Sequence, residues 1–294
     1  MKTNFAMYLK TYSEDFSRCK SRMIESFNRY NAENIRLYVS VPENDMELFK
    51  QFESDTIKII TDESYAKNYF TDESYFGLSE GYINQEICKL SFWETNLAEN
   101  YLCVDSDVEF IRNFYVSDFM ADENTPYTIL VQDKDLAIER HYHGFWLHRF
   151  DLIKKIYDEV DLDDRRYRTC HGMQVLNSKV LKSLKEDFMS VKNGDGGGYS
   201  YKDLIKISPY EFTWYNCWFQ KCKLVRECAV EPFFKTFHMR IEYIISRFKN
   251  LRLEDYAYSY VGIILNGNWE RPEKEYKNPN VIHKFFYTKI LKRL

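Results

Sequence analysis

The sequence lacks the features that mark several common classes of protein. It has no apolar run of about 18 residues, which excludes a simple membrane-spanning helix. Residues 1–7 lack the charged start and apolar core of a signal peptide. A net charge of -4 and a pI near 6.0 give no indication of a nucleic-acid-binding protein. We therefore expect a cytoplasmic protein that binds no nucleic acid.

The cysteines also form no recognisable pattern. There are 7 of them, an odd number, with no Cys-x-x-Cys pair and no zinc-site spacing. Without a signal peptide, they are expected to be reduced thiols that are mostly buried. No internal repeat or low-complexity linker divides the chain, which favours a single domain.

What the sequence does contain is an alternation of apolar strands and amphipathic helices over its first 110 residues. Repeated strand–helix–strand units predict parallel pairing and a doubly wound α/β layer. Ligands bind such sheets at the carboxyl ends of the strands. The predicted strands are 5–9, 35–41, 57–60 and 101–104, and the predicted helices are 13–31, 43–52 and 82–96.

The pattern becomes mixed beyond residue 125. A strand is predicted at 128–131, a helix at 150–160, and mainly helices from 215 to 248. The last segment, 283–294, spaces apolar residues four apart among basic ones, which predicts a short basic amphipathic helix. Such a helix would lie on an anionic membrane surface or dock on its own domain.

The strongest local feature is Asp105-Ser106-Asp107, directly after the fourth predicted strand. Carboxylates at positions i and i+2 of an extended backbone point to the same side. They can share one divalent cation, Mn²⁺ or Mg²⁺, with phosphate oxygens. That cation would offset the charge that collects on a diphosphate leaving group. Glu109 extends the cluster, and the alternative is a solvated acidic turn.

Two further segments give the acidic motif a context. Residues 81–90, GYINQEICKL, are similar to the Gly-aromatic-x-x-Gln-x-x-x-Lys helix of uncharacterised bacterial polysaccharide-type transferases. Residues 208–215, SPYEFTWY, are similar to their Glu-aromatic-x-x-Tyr segment. With three strand–helix units before the Asp-x-Asp strand, the order resembles a GT-A-type glycosyltransferase. Glu86 stands where a second Gln is usual in that family.

The resemblance implies a GT-A-like (Rossmann-like) α/β fold, with a mainly parallel sheet flanked by helices. It implies a catalytic domain at 1–250, with a nucleotide-sugar half at 1–110 and an acceptor half at 111–250. A helical extension would follow at 251–294. The expected activity is metal-dependent transfer from a nucleotide-sugar donor to a saccharide or lipid-linked glycan acceptor. The expected setting is bacterial surface-glycan synthesis, peripheral at the inner face of the membrane.

The resemblance also implies roles for individual residues. Asp107 would ligate the metal, and Asp105 would contact the donor ribose or a metal-bound water. Gln85 and Lys89 are one helical turn apart and share a face. Lys89 would approach the donor diphosphate or, alternatively, lie solvated on its helix. The other residues assigned to donor binding are Tyr8, Thr11, His171 and Gly172; the alternative for His171 and Gly172 is an ordinary loop that leads into a helix.

Two residues of the later chain complete the predicted site. Glu211 is the candidate general base of an inverting transfer, because its aromatic neighbours would raise the pKa of its carboxyl by partial desolvation. It would otherwise start a helix or only position the acceptor. His238 is the candidate third metal ligand, and imidazole suits Mn²⁺ better than Mg²⁺. The alternative for His238 is packing.

Two other functions remain open. Residues 104–108 fit the Asp-x-Asp-x-[Thr/Val] pattern of phosphatases whose first aspartate attacks phosphorus. That pattern normally sits on the first strand, whereas three strand–helix units precede it here. A non-catalytic glycan-binding protein would carry the same aromatic residues and release no nucleotide.

Overall fold

The computed structural model describes residues 2–132, 143–164, 166–168, 172–192, 197–238 and 240–266. The predicted α/β fold, with a mainly parallel sheet flanked by helices, is confirmed. The strands are β1 (Thr3–Lys10), β2 (Leu37–Val41), β3 (Ile57–Thr61), β4 (Ala98–Val104), β5 (Val108–Phe110), β6 (Met120–Asp122), β7 (Thr125–Pro126), β8 (Thr128–Ile129), β9 (Val175–Asn177), β10 (Ala229–Val230), β11 (Phe234–Phe237) and β12 (Gly262–Leu265).

The α-helices flank these strands and are joined by several short 3-10 and π-helical turns. They are α1 (Phe16–Arg18), α2 (Glu25–Tyr30), α3 (Met46–Phe49), α4 (Glu63–Ala66), α5 (Glu80–Ser91), α6 (His143–Val160), α7 (Ser178–Ser183), α8 (Tyr201–Ile207), α9 (Glu211–Cys222), α10 (Arg240–Phe248) and α11 (Leu253–Ala257). The predicted helix 13–31 is one helical segment, in which the π-helical stretch Cys19–Ile24 joins α1 to α2.

The main sheet has the strand order β3-β2-β1-β4-β9. Strands β1 to β4 are parallel, as predicted, and β9 pairs with β4 in the antiparallel direction. All five residues of β2 are buried, which is the pattern of a parallel sheet covered on both faces. In this strand order, β4 lies inside the sheet, between β1 and β9.

Alternate residues along the strands of the main sheet pack into two hydrophobic clusters, one on each face of the sheet. On β1, Ala6 and Tyr8 join the cluster that includes Ile83 and Ile87 of α5. Their neighbours Met7 and Leu9 join the cluster that includes Phe27 of α2. Side chains of a strand point alternately to opposite faces, so this division fixes α5 on one side of the sheet and α2 on the other.

A second, smaller sheet has the order β11-β12-β5. Strand β12 pairs parallel with β11 and antiparallel with β5. The prediction of mainly helices from 215 to 248 is wrong for β10 and β11, which lie between α9 and α10. These strands are only two and four residues long, and their partners are distant in the chain, so local periodicity does not reveal them.

Four predictions on chain organisation have different outcomes. The six described cysteines are free thiols. Among the helices that the structure describes, none is long and apolar enough to cross a bilayer. The division at residue 250 stays a prediction, and β12 from the second segment pairs with strands of the first. The predicted amphipathic helix at 283–294 lies outside the described residues.

Candidate active site

The acidic motif lies at the carboxyl end of β4, where the fold predicts a ligand site. Val108 N donates to Asp105 O at 3.2 Å, which closes a tight turn between β4 and β5. Asp107 O accepts a hydrogen bond from Leu265 N at 3.2 Å, and Ser106 Oγ donates to Asp15 Oδ2 at 2.9 Å. The backbone and the central serine are thus held by other segments, and both aspartates line a cavity.

Helix α5 forms one wall of this site. It is capped by Ser79, whose hydroxyl accepts from Tyr82 N, and it buries Ile83 and Ile87 against the sheet. The adjacent stripe of the helix buries Glu86 and Lys89, of which only 1% and 4% are exposed. Residues three and four apart share a helix face, so the same spacing that packs α5 directs these two charged side chains into the site.

Lys89 is surrounded by three carboxyl groups. Its Nζ lies 3.0 Å from Glu211 Oε1, 3.5 Å from Asp105 Oδ1 and 3.7 Å from Glu86 Oε2. It also lies 5.0 Å from the centre of the Phe212 ring. A buried ammonium needs such partners, because an isolated charge is costly to remove from water. The solvated alternative for Lys89 is therefore wrong.

The carboxyl groups of Glu86 and Glu211 share a hydrogen bond and differ in protonation. Burial and the charge of Glu211 raise the pKa of Glu86 well above its ordinary value. Burial also raises the pKa of Glu211, but Lys89 and the hydrogen bonds from Glu86 and Lys89 outweigh this and lower it overall. The expected rise in the pKa of Glu211 is thus wrong, since its aromatic surroundings also contain a cation. Of the two carboxyl groups, Glu86 therefore favours the protonated form and Glu211 the ionised form.

For Lys89, burial lowers the pKa, but the carboxylates of Asp105 and Glu211 outweigh it, and the pKa is raised well above the ordinary value. Lys89 is therefore an ammonium. The cluster thus places one ammonium group among the carboxyl groups of Glu86, Glu211 and Asp105.

Two adjoining cavities meet at the acidic motif. The first has a volume of ≈ 270 Å³ and is walled by α5, by the start of α9 and by β11 and β12. The second has a volume of ≈ 200 Å³ and is walled by the loop after β1 and the start of α1. Both are lined by Tyr82, Gln85, Asp105, Asp107 and Asn266. The Asp-x-Asp turn thus stands at the junction of a two-part cleft.

The structure brings most of the predicted site residues to this cleft. Gln85 lines both cavities, and Lys89, Gly172, Glu211 and His238 line the first. Gly172 has a φ of 99°, which a residue with a Cβ rarely adopts. His171 lies outside the described residues.

Tyr8 and Thr11 line neither cavity. Tyr8 is fully buried under the sheet, and its hydroxyl lies 2.6 Å from that of Tyr65. Thr11 is 1% exposed, and its backbone N–H donates to Ser40 O at 3.0 Å. Both side chains belong to the packing beneath the site, and their assignment to donor binding stays a prediction.

Among the residues that line the first cavity, sequence reasoning missed Arg149 and Asn266. Arg149 of α6 stacks over Tyr210, with its Cζ 4.3 Å from the ring centre. Asn266 follows β12 and lines both cavities. Neither lies in a recognisable motif, so only the long-range packing reveals them. Tyr82, three residues before Gln85 on α5, could have been found from its helical spacing.

The residues at the junction suit a hard divalent cation. Asp105 and Asp107 supply the oxygen ligands that Mn²⁺ and Mg²⁺ accept, and Asp105 Oδ1 is buried and receives no hydrogen bond. Within the described parts of the chain, no three His, Cys, Asp or Glu side chains are grouped to hold a metal. The two aspartates would therefore share the cation with ligand oxygens rather than enclose it.

One protein-family model matches this chain. It is described as "Family of unknown function (DUF6492)" and covers residues 5–149, which include most of β1, the strands β2 to β5 and the acidic motif. No curated protein matches the sequence.

The chain is also similar to several solved structures. Mouse xyloside xylosyltransferase 1 in its apo form has 11% identity over 90% of this chain and 98% of its own, with a TM-score of 0.47. The apo WbbM bifunctional glycosyltransferase has 9% identity over 92% of this chain and 47% of its own, with a TM-score of 0.48. An active-site mutant of LgtC has 12% identity over 98% of this chain and 96% of its own, with a TM-score of 0.47.

Proposed function

We propose that the protein is a metal-dependent glycosyltransferase that acts on a nucleotide-sugar donor. The observation that carries this proposal is the two-part cleft with Asp105 and Asp107 at its junction. A nucleotide sugar has a nucleoside at one end, a sugar at the other and a diphosphate or phosphate between them. The nucleoside would occupy the cavity beside the loop after β1, and the sugar and acceptor would occupy the larger cavity.

The acidic junction suits the phosphate portion only with a cation, since two carboxylates alone would repel it. Asp105 and Asp107 would hold that cation together with oxygens of the ligand; His238, the predicted third ligand, lines the same cavity but is not grouped with the two aspartates. When bound, the cation would offset the negative charge that collects on the leaving group. Lys89 would supply a second, fixed positive charge close to the same place.

The sugar compartment has aromatic and polar walls. Tyr82, Tyr210 and Phe212 line the larger cavity and present rings for stacking on a sugar. Arg149 and Gln85 line it as hydrogen-bond donors. Such a mixture of a few polar groups and aromatic rings is typical of small-molecule sites.

Glu211 lines the larger cavity, and we propose that its carboxylate chiefly holds Lys89 in position. A carboxylate whose pKa is lowered by a paired ammonium is a weak proton acceptor. The role of Glu211 as the general base thus stays a prediction. The bacterial surface-glycan role rests on the resemblance of residues 81–90 and 208–215, and remains part of the proposal.

The phosphatase alternative gains nothing from the fold. It needs the attacking aspartate after the first strand, but β1 ends at Lys10 and is followed by Thr11. The paired aspartates instead follow β4, the fourth strand in chain order.

A thermal-shift screen tests the proposal. The wild type is heated with UDP-, GDP-, CDP- and CMP-linked sugars, each with and without Mn²⁺. A ligand that binds only the folded state raises the melting temperature. We expect one nucleotide class to stabilise the wild type only with metal, and Asp107→Asn to lose that effect. Asp151→Asn, whose carboxylate is 71% exposed on α6, is the matched control and should respond like the wild type.

Two results would count against the proposal. If no nucleotide shifts the wild type with any metal, the donor site is wrong. If a nucleotide sugar binds but no free nucleotide is ever released, even with saccharide acceptors present, the hypothesis of a non-catalytic glycan-binding protein is favoured.

A further inference from the structure

Helix α10 carries an apolar stripe that the described core does not cover. Ile241, Ile244, Ile245 and Phe248 recur at positions i, i+3, i+4 and i+7, which places them on one face of the helix. None of them belongs to the three hydrophobic clusters of the described residues. Ile245 and Phe248 are 45% and 72% exposed.

The helix is attached to the protein by its other side. Tyr243 packs on Phe237 of β11, with the ring centres 5.3 Å apart. Ser246 is buried, and its Oγ donates to Tyr243 O at 2.7 Å. An amphipathic helix on the surface of a globular protein normally packs its apolar face against the core. Here the more polar face is packed, and the apolar stripe is left for something else.

Basic residues border this stripe. A shallow cavity of ≈ 390 Å³ is lined by Arg240, Tyr243, Ile244, Arg247 and Phe248. From residue 235 to residue 252 the chain has five basic side chains and one acidic side chain; these are Lys235, Arg240, Arg247, Lys249 and Arg252 against Glu242. The surface therefore combines exposed apolar residues with an excess of positive charge. The next acidic residues along the chain, Glu254 and Asp255, belong to the following helix, α11.

Charge also argues against the chain's own final segment as the partner of α10. Residues 283–294 contain Lys284, Lys289, Lys292 and Arg293 and no acidic residue. Two basic surfaces repel each other, whereas both are attracted to an anionic one. An apolar stripe bordered by arginine and lysine is the pattern of helices that lie in the boundary of an anionic bilayer.

We propose that α10 and residues 249–252 form a docking surface for an anionic lipid bilayer. Ile245 and Phe248 enter the boundary between headgroups and acyl chains, and Arg240 and Arg247 meet the lipid phosphates. Two residues before α10, His238 lines the first cavity of the two-part cleft, so docking holds the cleft close to the membrane. A lipid-linked acceptor follows from this placement; that part rests on the proposed function, whereas the docking does not.

Vesicle sedimentation of the whole chain, without nucleotide, tests the docking. The vesicles contain either phosphatidylcholine alone or phosphatidylcholine with phosphatidylglycerol. We expect binding only to the anionic vesicles, and about tenfold weaker binding for the double variant Ile245→Ser with Phe248→Ser. Arg247→Gln should bind about fivefold more weakly. The control is Val191→Ser with Leu224→Ser, which removes apolar side chains 71% and 56% exposed elsewhere and should bind like the wild type.

Three outcomes would overturn the docking surface. The first is a wild type that does not prefer anionic vesicles. The second is an α10 double variant that melts at the wild-type temperature and still binds as well as the wild type. The third is a wild-type dimer in gel filtration that Phe248→Ser dissociates with no loss of vesicle binding, because a second copy would then cover the stripe.

The docking and the proposed function fail separately. If the protein binds anionic vesicles but shows no nucleotide-dependent thermal shift, the docking proposal stands and the proposed transferase function is contradicted. If the protein shows a nucleotide-dependent thermal shift but does not bind vesicles, the proposed function stands and the docking proposal is contradicted.

Discussion

Lys89 Nζ lies 3.0 Å from Glu211 Oε1, although 122 positions separate the two residues in the chain. Both side chains are buried, and each comes from a helix on the same side of the main sheet. One contact thus ties α5 to the first turn of α9 and places a positive charge beside Asp105. The contact thus joins two helices and lines the candidate site, which makes it the natural place for a first mutation.

Lys89→Met should strongly destabilise the protein. It leaves the buried carboxylate of Glu211 without its cation, and breaking such a pair costs about 3–5 kcal/mol. The free energy of unfolding is measured by urea denaturation followed by tryptophan fluorescence. Lys179→Met is the control, since Lys179 is 65% exposed and pairs with Glu99 at 3.6 Å on the surface. It should cost about 1 kcal/mol or less. Equal losses in the two variants would contradict a paired Lys89.

Glu86→Gln should become more stable relative to the wild type as the pH rises. Burial and the charge of Glu211 raise the pKa of Glu86 in the folded state. The folded protein therefore holds this proton more tightly than the unfolded chain. Its contribution to stability is complete below the ordinary pKa, near 4.5, and is lost as the pH rises towards the folded pKa.

Glutamine keeps a hydrogen-bond donor for Glu211 but has no proton to lose. The measurement is the difference in unfolding free energy between Glu86→Gln and the wild type, from about pH 5 to about pH 8. Glu186→Gln, at a side chain 59% exposed, serves as the control and should show no such trend. A difference that stays constant with pH would mean that Glu86 is ionised in the folded protein.

Tyr82→Leu should weaken ligand binding without changing the fold. Tyr82 is 41% exposed and lines both cavities, so little core packing depends on its ring. Loss of an aromatic contact of about 1 kcal/mol corresponds to roughly fivefold weaker binding. The dissociation constant for the stabilising nucleotide sugar is measured by calorimetry. Tyr258→Leu, at a ring 92% exposed on another surface, should bind normally. Unchanged binding in Tyr82→Leu would place the ligand elsewhere.

Gly262→Ala should destabilise the protein and disturb the acidic turn. A Cβ at this position would lie 2.5 Å from Glu109 O and 2.7 Å from Phe234 Cδ1, so β12 could not keep its place between β5 and β11. Overpacking of this kind costs about 1–3 kcal/mol.

Gly81→Ala is the contrasting control. Gly81 lies in helix α5, and a Cβ added there would meet only Ser79 Oγ, at 4.0 Å.

Alanine in a helix is favoured over glycine by about 0.5–1 kcal/mol, so Gly81→Ala should stabilise the protein. Both changes are read as shifts of the urea midpoint. A Gly262→Ala protein as stable as the wild type would contradict the close approach of the three strands. Its nucleotide-dependent thermal shift should also be reduced, since β5 follows directly from Asp107.

The first half of the fold could be predicted because its signals are local. Strands β1 to β4 are apolar runs of five to eight residues separated by helical spacing, and their order alone implies parallel pairing. The position of Asp105 and Asp107 at a strand end follows from the same order. The antiparallel β9 and the small sheet were missed, because their short strands are defined by partners far along the chain.

The candidate site shows the same limit. Residues within one motif, such as Gln85 and Lys89, could be placed on a common helix face from their spacing alone. The surroundings of Glu211 could not, because its ionisation depends on Glu86 and Lys89, which reach it only in the folded chain. Arg149 and Asn266 carry no local signal and enter the cleft through tertiary packing.

The hydrogen bond from Leu265 N to Asp107 O has a consequence for synthesis in the cell. Arg22 Nη1 also donates to Leu265 O at 3.1 Å, so this residue joins the turn to the helical segment that follows β1. A growing chain emerges from the ribosome with its amino terminus first. The Asp-x-Asp turn is therefore translated long before the strand that secures it, and the hydrogen bond from Leu265 N to Asp107 O can form only after residue 265 has left the exit tunnel.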